Sequence, residues 1–203
     1  MKMLRFSIAL LLVAALFTPT ETSAQTVIGA KAGLSFSNVS LSGEGASVSF
    51  DSRTGFVGGA FAQFGLGSPW FIQPELLYSS KGFKVDSETL SLSYFEIPVL
   101  FGAAFPLSNS DLKPMVFAGP SVAFKLSCDA EGFDCGDSIK SFDFALVFGA
   151  GIQYSLESIS LFLDGRYGLG LADVGDDADL SYFDVAAKNR TWQFMAGVGF
   201  PIG

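Results

Sequence analysis

Long runs in which every second residue is apolar restrict this chain more than any other feature. From Ser141 to Ser155 the even positions are Phe142, Phe144, Leu146, Phe148, Ala150, Ile152 and Tyr154, all apolar. The odd positions include Asp143, Gly149, Gly151 and Gln153, which are polar or small. An extended strand sends successive side chains to opposite faces, so this pattern is that of a strand with two unlike faces. One face in hydrocarbon and the other in a crowded interior requires such a sequence. A soluble sandwich would decorate its outer face with lysine and glutamate, and that decoration is missing here.

The same reading predicts eight strands, at approximately 26–37, 53–66, 70–80, 90–105, 112–126, 141–155, 159–170 and 188–201. The connections alternate in length. Gly65 to Pro69, Pro106 to Asp111 and Leu156 to Ser158 are tight turns, whereas 38–52, 81–89, 127–140 and 171–187 are longer and more polar. Short periplasmic turns with longer outer loops are the asymmetry of outer-membrane barrels, and an even strand number puts both termini in the periplasm. Aromatic rings favour the two membrane interfaces. Phe64, Trp70, Tyr154 and Phe200 fall at the periplasmic ends of the outward faces, and Phe36, Tyr78, Phe124, Phe142 and Trp192 at the outer ends. Backbone groups in hydrocarbon must all be paired, so the sheet is expected to close. Pro98 cannot donate to a ladder, which predicts a bulge there, with a simple gap as the alternative.

The N-terminal segment begins with Lys2 and Arg5, continues through an apolar run from Phe6 to Phe17 and ends at Thr22-Ser23-Ala24. That tripartite order is a secretory signal peptide at 1–24, leaving the barrel domain at 25–203. Of the 12 basic and 20 acidic residues, Lys2, Arg5 and Glu21 lie in the leader, so the mature chain is strongly acidic. That balance argues against a nucleic-acid partner. No mature segment offers about 20 consecutive apolar residues for a helical span.

Seven segments in order resemble the PorT-like outer-membrane β-barrel family. They are GAKAGLSFSN (29–38), QPELLYSSKGFK (73–84), YFEIPVLFG (94–102), FAGPSVAF (117–124), FDFALVFGAGIQY (142–154), DGRYGLGL (164–171) and KNRTWQFMAGVGF (188–200). The resemblance covers essentially the whole mature chain. It implies an eight-stranded outer-membrane barrel without shared catalytic residues, some relatives taking part in secretion to the cell surface. One departure is that Phe200 is followed by Pro201-Ile202-Gly203, where many outer-membrane barrels end on an aromatic residue.

Inward parity places Lys31, Glu75, Glu96, Asp164 and Arg166 in the lumen. Glu75 and Glu96 lie on adjacent strands and are expected to pair with Arg166 and Lys31, because unpaired carboxylates are costly where bulk water is excluded. An ion-pair plug is the main reading; a conduction path and a carboxylate hydrolase site are the alternatives. Eight strands leave an interior just filled by side chains, which disfavours conduction. The chain contains no histidine, so no histidine-based acid–base or nucleophile chemistry is available, and no catalytic residue, cofactor or metal ligand is assigned. Cys128 and Cys135 share one outer loop, and such a pair in an exported chain reads as a disulfide, with metal binding as the alternative. The outer loops are acidic, carrying Asp129, Glu131, Asp134 and Asp137 in one and Asp173, Asp176, Asp177, Asp179 and Asp184 in another. Solvated surface is the plain reading. Calcium at GDDAD (175–179) is the alternative, without EF-hand spacing.

The expected fold is all-β, an eight-stranded antiparallel transmembrane β-barrel in the cell outer membrane. The expected role is a monomeric scaffold rather than an enzyme, contacting outer-membrane lipids and lipopolysaccharide and offering its outer loops to a protein partner. Surface binding or secretion support, a narrow pore for small solutes, and a soluble lipocalin-like barrel are the rival readings. The membrane-spanning readings predict that the mature protein fractionates with outer membranes, resists carbonate extraction and migrates differently on gels with and without boiling. Recovery as a soluble periplasmic monomer would favour the lipocalin-like fold.

Overall fold

A computed structural model describes residues 25–43, 46–49, 53–85, 88–130, 142–171 and 186–202. Among them run β1 (Thr26–Gly43), β2 (Ala46–Ser49), β3 (Arg53–Gly65), β4 (Trp70–Val85), β5 (Glu88–Ala104), β6 (Leu112–Ala130), β7 (Phe142–Ser155), β8 (Ser160–Gly170) and β9 (Ala186–Ile202). Apart from β2, each strand pairs with its neighbours in chain order, and β9 closes antiparallel onto β1. The short β2 pairs with the far end of β1, from Ser40↔Ser49 to Gly43↔Ala46. Eight strands therefore make a closed antiparallel barrel, as the alternation predicts.

The register sets the barrel's dimensions. Direct partners from Thr26 lead through Phe64, Ile72, Phe101, Ala118, Phe148, Tyr167 and Trp192. Trp192 returns to β1 at Phe36, so one circuit climbs from position 26 to position 36. With strands about 4.8 Å apart and a rise of about 3.3 Å per residue, that stagger tilts them by about 40° and gives a backbone radius of about 8 Å.

Parity then sorts the side chains. On β7 the even residues point outward and are exposed, while Val147 and Gln153 point inward and are buried. Leu76, Phe101, Val116, Phe148, Leu163 and Phe194 are all exposed on the outer wall. So broad an apolar exterior does not suit water, which rejects the soluble-barrel reading. At the end carrying the tight turns, Trp70, Tyr154 and Phe200 stand exposed, and Trp70 stacks on Phe101 at 5.4 Å between ring centroids. Toward the other end lie Tyr78, Phe124, Phe142 and Trp192, with Phe124 edge-on to Phe142 at 5.6 Å. Phe36 and Phe64 share the outward parity but are half-buried.

The tight turns occupy 66–69, 105–111 and 156–159. Gly67 has φ +97, a conformation that favours glycine, and its carbonyl accepts from the Trp70 N–H at 2.7 Å. At the opposite end the strands run farther than the sequence suggests. Most of 81–89, read as a loop, is strand, with β4 and β5 paired out to Val85↔Glu88. Likewise β1 continues to Gly43 and β6 to Ala130. Polar residues keep a strand's hydrogen bonds even where no apolar face advertises them.

Pro98 also departs from its expected role. The register of β4 on β5 is the same on both sides of it, so the ladder has a gap there and no bulge. The irregularity lies at Ser93/Tyr94, where β5 shifts register against β6.

Phe148 lies midway along β7 between Phe142 and Tyr154, the rings marking its two interfaces. Arginine in place of Phe148 should cost about 2–4 kcal/mol, the penalty for a cation near the bilayer midplane. Val147→Ala should cost about 1–2 kcal/mol through lost lumen packing instead. Urea titration of folding into phospholipid vesicles measures both, and a larger loss at Val147 would reverse the assigned faces.

Candidate functional site in the barrel lumen

The inward faces of β1, β4 and β8 bring four charged side chains together, each at most 3 % exposed: Lys31, Glu75, Asp164 and Arg166. Lys31 Nζ lies 3.1 Å from Glu75 Oε1 and 2.9 Å from Asp164 Oδ2. Arg166 donates from Nη1 to Glu75 Oε2 at 2.6 Å and from Nη2 to Glu75 Oε1 at 3.2 Å, a two-pronged contact. The same guanidinium donates from Nε and Nη2 to Asp164 Oδ1 at 3.2 and 3.0 Å. Two cations and two carboxylates thus form one neutral cluster in which each cation meets both anions. Charge-assisted and bidentate bonds are the strong kind, and desolvating charge is tolerable only with such partners.

Other groups complete the shell. Gln73 donates from Nε2 to Glu75 Oε1 at 2.7 Å, and Gln63 donates to Gln73 Oε1 at 3.1 Å. The Lys31 ammonium sits 4.7 Å from the Phe61 ring centre, and the Arg166 guanidinium 5.4 Å from that of Phe117. Ring faces carry partial negative charge, so both cations gain attraction while water is kept away. Toward the tight-turn end, Val27, Phe71, Met115 and Phe162 belong to one buried apolar cluster with Phe61 and Phe117.

Glu96 is placed elsewhere. It faces Leu77, two positions beyond Glu75 along β4. Direct partners from Lys31 run through Gly59, Leu77, Glu96, Ala123 and Asp143. That row climbs with the stagger of the barrel, so Glu96 stands about four residues above Lys31. The expected pairing of Glu96 with Arg166 and Lys31 therefore gives way to Asp164, which meets both cations. Glu96 instead lines a cavity of about 30 Å³ with Ser121, Asp143, Thr191 and Gln193. That volume suits one or two water molecules held by polar walls. Sequence reading missed Asp143 as a partner of this region; a charged side chain at an inward position of β7 was the available signal. Cys128, Cys135 and the acidic loop residues have side chains outside the described residues, as does the segment 1–24. Among the described residues no group of three or more potential metal ligands occurs.

A closed antiparallel barrel, apolar outside between two aromatic belts and filled inside, is a transmembrane β-barrel of the outer-membrane type. Solved structures with this fold include Neisserial surface protein A, 18 % identical over 87 % of this chain and 97 % of that one, with a TM-score of 0.56. The outer membrane protein OprG from Pseudomonas aeruginosa is 15 % identical over 88 % and 96 % of the two chains, with a TM-score of 0.54. No curated protein matches the sequence. The chain belongs to the family described as outer membrane protein beta-barrel domain, whose model matches residues 23–176.

Removing Arg166 would strand two buried carboxylates beside a single lysine. Arg166→Ala should therefore destabilise the barrel by about 3–5 kcal/mol, as breaking one side of a buried ion pair does. Adding Glu75→Gln restores neutrality around the Lys31–Asp164 pair and should recover much of that loss. Denaturant titrations in micelles read both; a loss below about 1 kcal/mol for Arg166→Ala would mean that water reaches the cluster.

Proposed function

We propose that this protein is a membrane-embedded scaffold with a sealed lumen, holding its outer strand ends and acidic loops at the cell surface. The observation that carries this reading is the occupied lumen. Four buried charges neutralise one another across it, and an apolar layer backs them toward the tight-turn end. Solute transport needs a continuous wet path, and an eight-stranded barrel filled in this way offers none. The tight turns then face the periplasm, and export uses the signal peptide at 1–24, cleaved after Ala24.

Non-enzymatic action is part of the proposal. It rests on the absence of histidine from the sequence and on mutual neutralisation of the lumen carboxylates, which leaves no poised acid–base pair. Contact with lipopolysaccharide and outer-membrane lipid belongs to it as well, as does a monomeric state. The PorT-like motifs support a second reading, binding of a protein partner at the outer face, including in secretion. Strand extension in that direction favours it, since β4–β5 pairing continues to Val85↔Glu88 and β2 adds to β1.

Planar-bilayer recordings on the refolded mature protein separate scaffold from pore. The scaffold reading expects no steady single-channel currents for the wild type. Stable cation-selective currents, altered in selectivity by Glu75→Gln, would establish the pore instead. Affinity purification from gently solubilised outer membranes, with mass spectrometry of what co-elutes, tests the partner.

A further inference from the structure

Three prolines coincide with three breaks in the ladder. Between β3 and β4 the pairing runs from Phe61↔Glu75 to Phe64↔Ile72 and skips Ala62 and Gln63 against Pro74 and Gln73. Between β4 and β5 it passes from Pro74↔Val99 to Leu77↔Glu96, skipping Glu75 and Leu76 against Pro98 and Ile97. Between β5 and β6 it passes from Pro98↔Ser121 to Phe101↔Ala118, skipping Val99 and Leu100 against Pro120 and Gly119. The register is unchanged across each gap. By that register Pro74 stands opposite Ala62, Pro98 opposite Glu75 and Pro120 opposite Val99, and each proline lacks the N–H its partner's carbonyl would accept.

One stretch interrupted on both sides is Ile97–Leu100 on β5, and the other lies on β4. Its segment Gln73–Leu76 lacks ladder pairing to β3 over its first half and to β5 over its second. This same segment carries much of the side-chain bonding of the charge cluster. Gln63 and Gln73, skipped as a backbone pair, are joined through their side-chain amides at 3.1 Å. Glu75 is tied to Lys31 on β1 and to Arg166 on β8, reaching two strands that do not neighbour β4. Side chains thus hold, from the inside, a stretch of wall whose backbone pairing is interrupted on both sides.

We propose that the charge cluster is a latch on the barrel wall: the bonds made by Glu75 and Gln73 take the place of ladder pairing along Gln73–Leu76, and this stretch loosens first when the cluster is broken. The inference does not depend on the scaffold reading, since a pore would have the same wall.

Amide hydrogen exchange of the mature protein in micelles, resolved by residue, tests it. The amides to follow are those of Ala62, Glu75 and Val99, opposite the three prolines. In Lys31→Met/Glu75→Gln, which keeps the cluster neutral, they should exchange about tenfold faster than in the wild type, while Val147 and Gly149 on β7 change less than about twofold. Adding Pro74→Ala returns a donor toward Ala62 and should reverse most of the change at that site. Should the double variant fail to fold, Pro74→Ala alone still decides, since it should slow exchange at Ala62 several-fold in the wild-type background. An increase spread evenly around the barrel, an unchanged rate at all three amides, or no slowing with Pro74→Ala would each overturn the latch.

Discussion

Hydrocarbon offers a peptide group nothing to bond with, and each backbone N–H or C=O left there unpaired costs several kcal/mol. The continuous pairing of β9 with β1, from Thr26↔Ile202 to Ser42↔Ala186, is the answer to that constraint. The rest of the structure depends on this closure. A sheet closed by eight strands with this stagger has a narrow interior, so every inward side chain must fit with its neighbours. Glycine is used where they cannot. At Gly59 a Cβ would collide with the Leu76 carbonyl oxygen, and at Gly119 with that of Val99. Gly119 therefore lets the chain approach the very carbonyl that Pro120 leaves without a ladder donor, and a Cα–H···O contact is what remains available to it.

Filling the lumen does not by itself call for charge. Buried ion pairs are often no more stabilising than apolar residues of the same volume, because desolvation offsets their attraction. What the cluster adds is direction. An apolar plug tolerates sliding and repacking, whereas the two-pronged contact of Arg166 with Glu75 is made in one geometry. It joins β1, β4 and β8 across the interior, fixing wall against wall where the sheet connects those strands only through intermediates. Phe61 and Phe117 cover the cations, so the bonds are made in a dry setting where electrostatic attraction is less screened.

Much of this was legible in the sequence because parity is a local property. Alternation along each strand was enough to send Phe148 outward and Lys31, Glu75, Asp164 and Arg166 inward. Which inward residues meet is not local. It depends on the stagger, a sum over eight registers, and one strand's sequence does not carry it. Glu96 shows the limit: its inward parity was correct, yet the climb of the row lifts it away from Lys31 and toward Asp143 and Thr191. Strand ends were illegible for another reason. Beyond the membrane both faces can be polar, so the alternation fades while the backbone pairing of β4 with β5 continues. Pro98 was recognised as irregular, but a gap and a bulge remove the same donor and differ only in the partner strand's register.

Polarity along the barrel axis makes the wall and the lumen respond differently to the same damage. The tight-turn end is closed by Val27, Phe71, Met115 and Phe162, the middle by the ion cluster, and the region above it holds Glu96, Asp143, Thr191 and a small cavity. The cluster meets an apolar layer toward the tight turns, and Val57, Leu77 and Met195, the last opposite Asp164, form a second buried apolar group. Breaking the ion pairs leaves that layer standing, because its contacts are apolar and independent of charge. A continuous path through the lumen therefore does not follow from loss of the cluster. The neighbouring stretch of β4 has no such reserve, since its backbone pairing is already interrupted on both sides. The interactions that look like a gate in the lumen are thus better placed to stiffen the wall than to regulate passage through it.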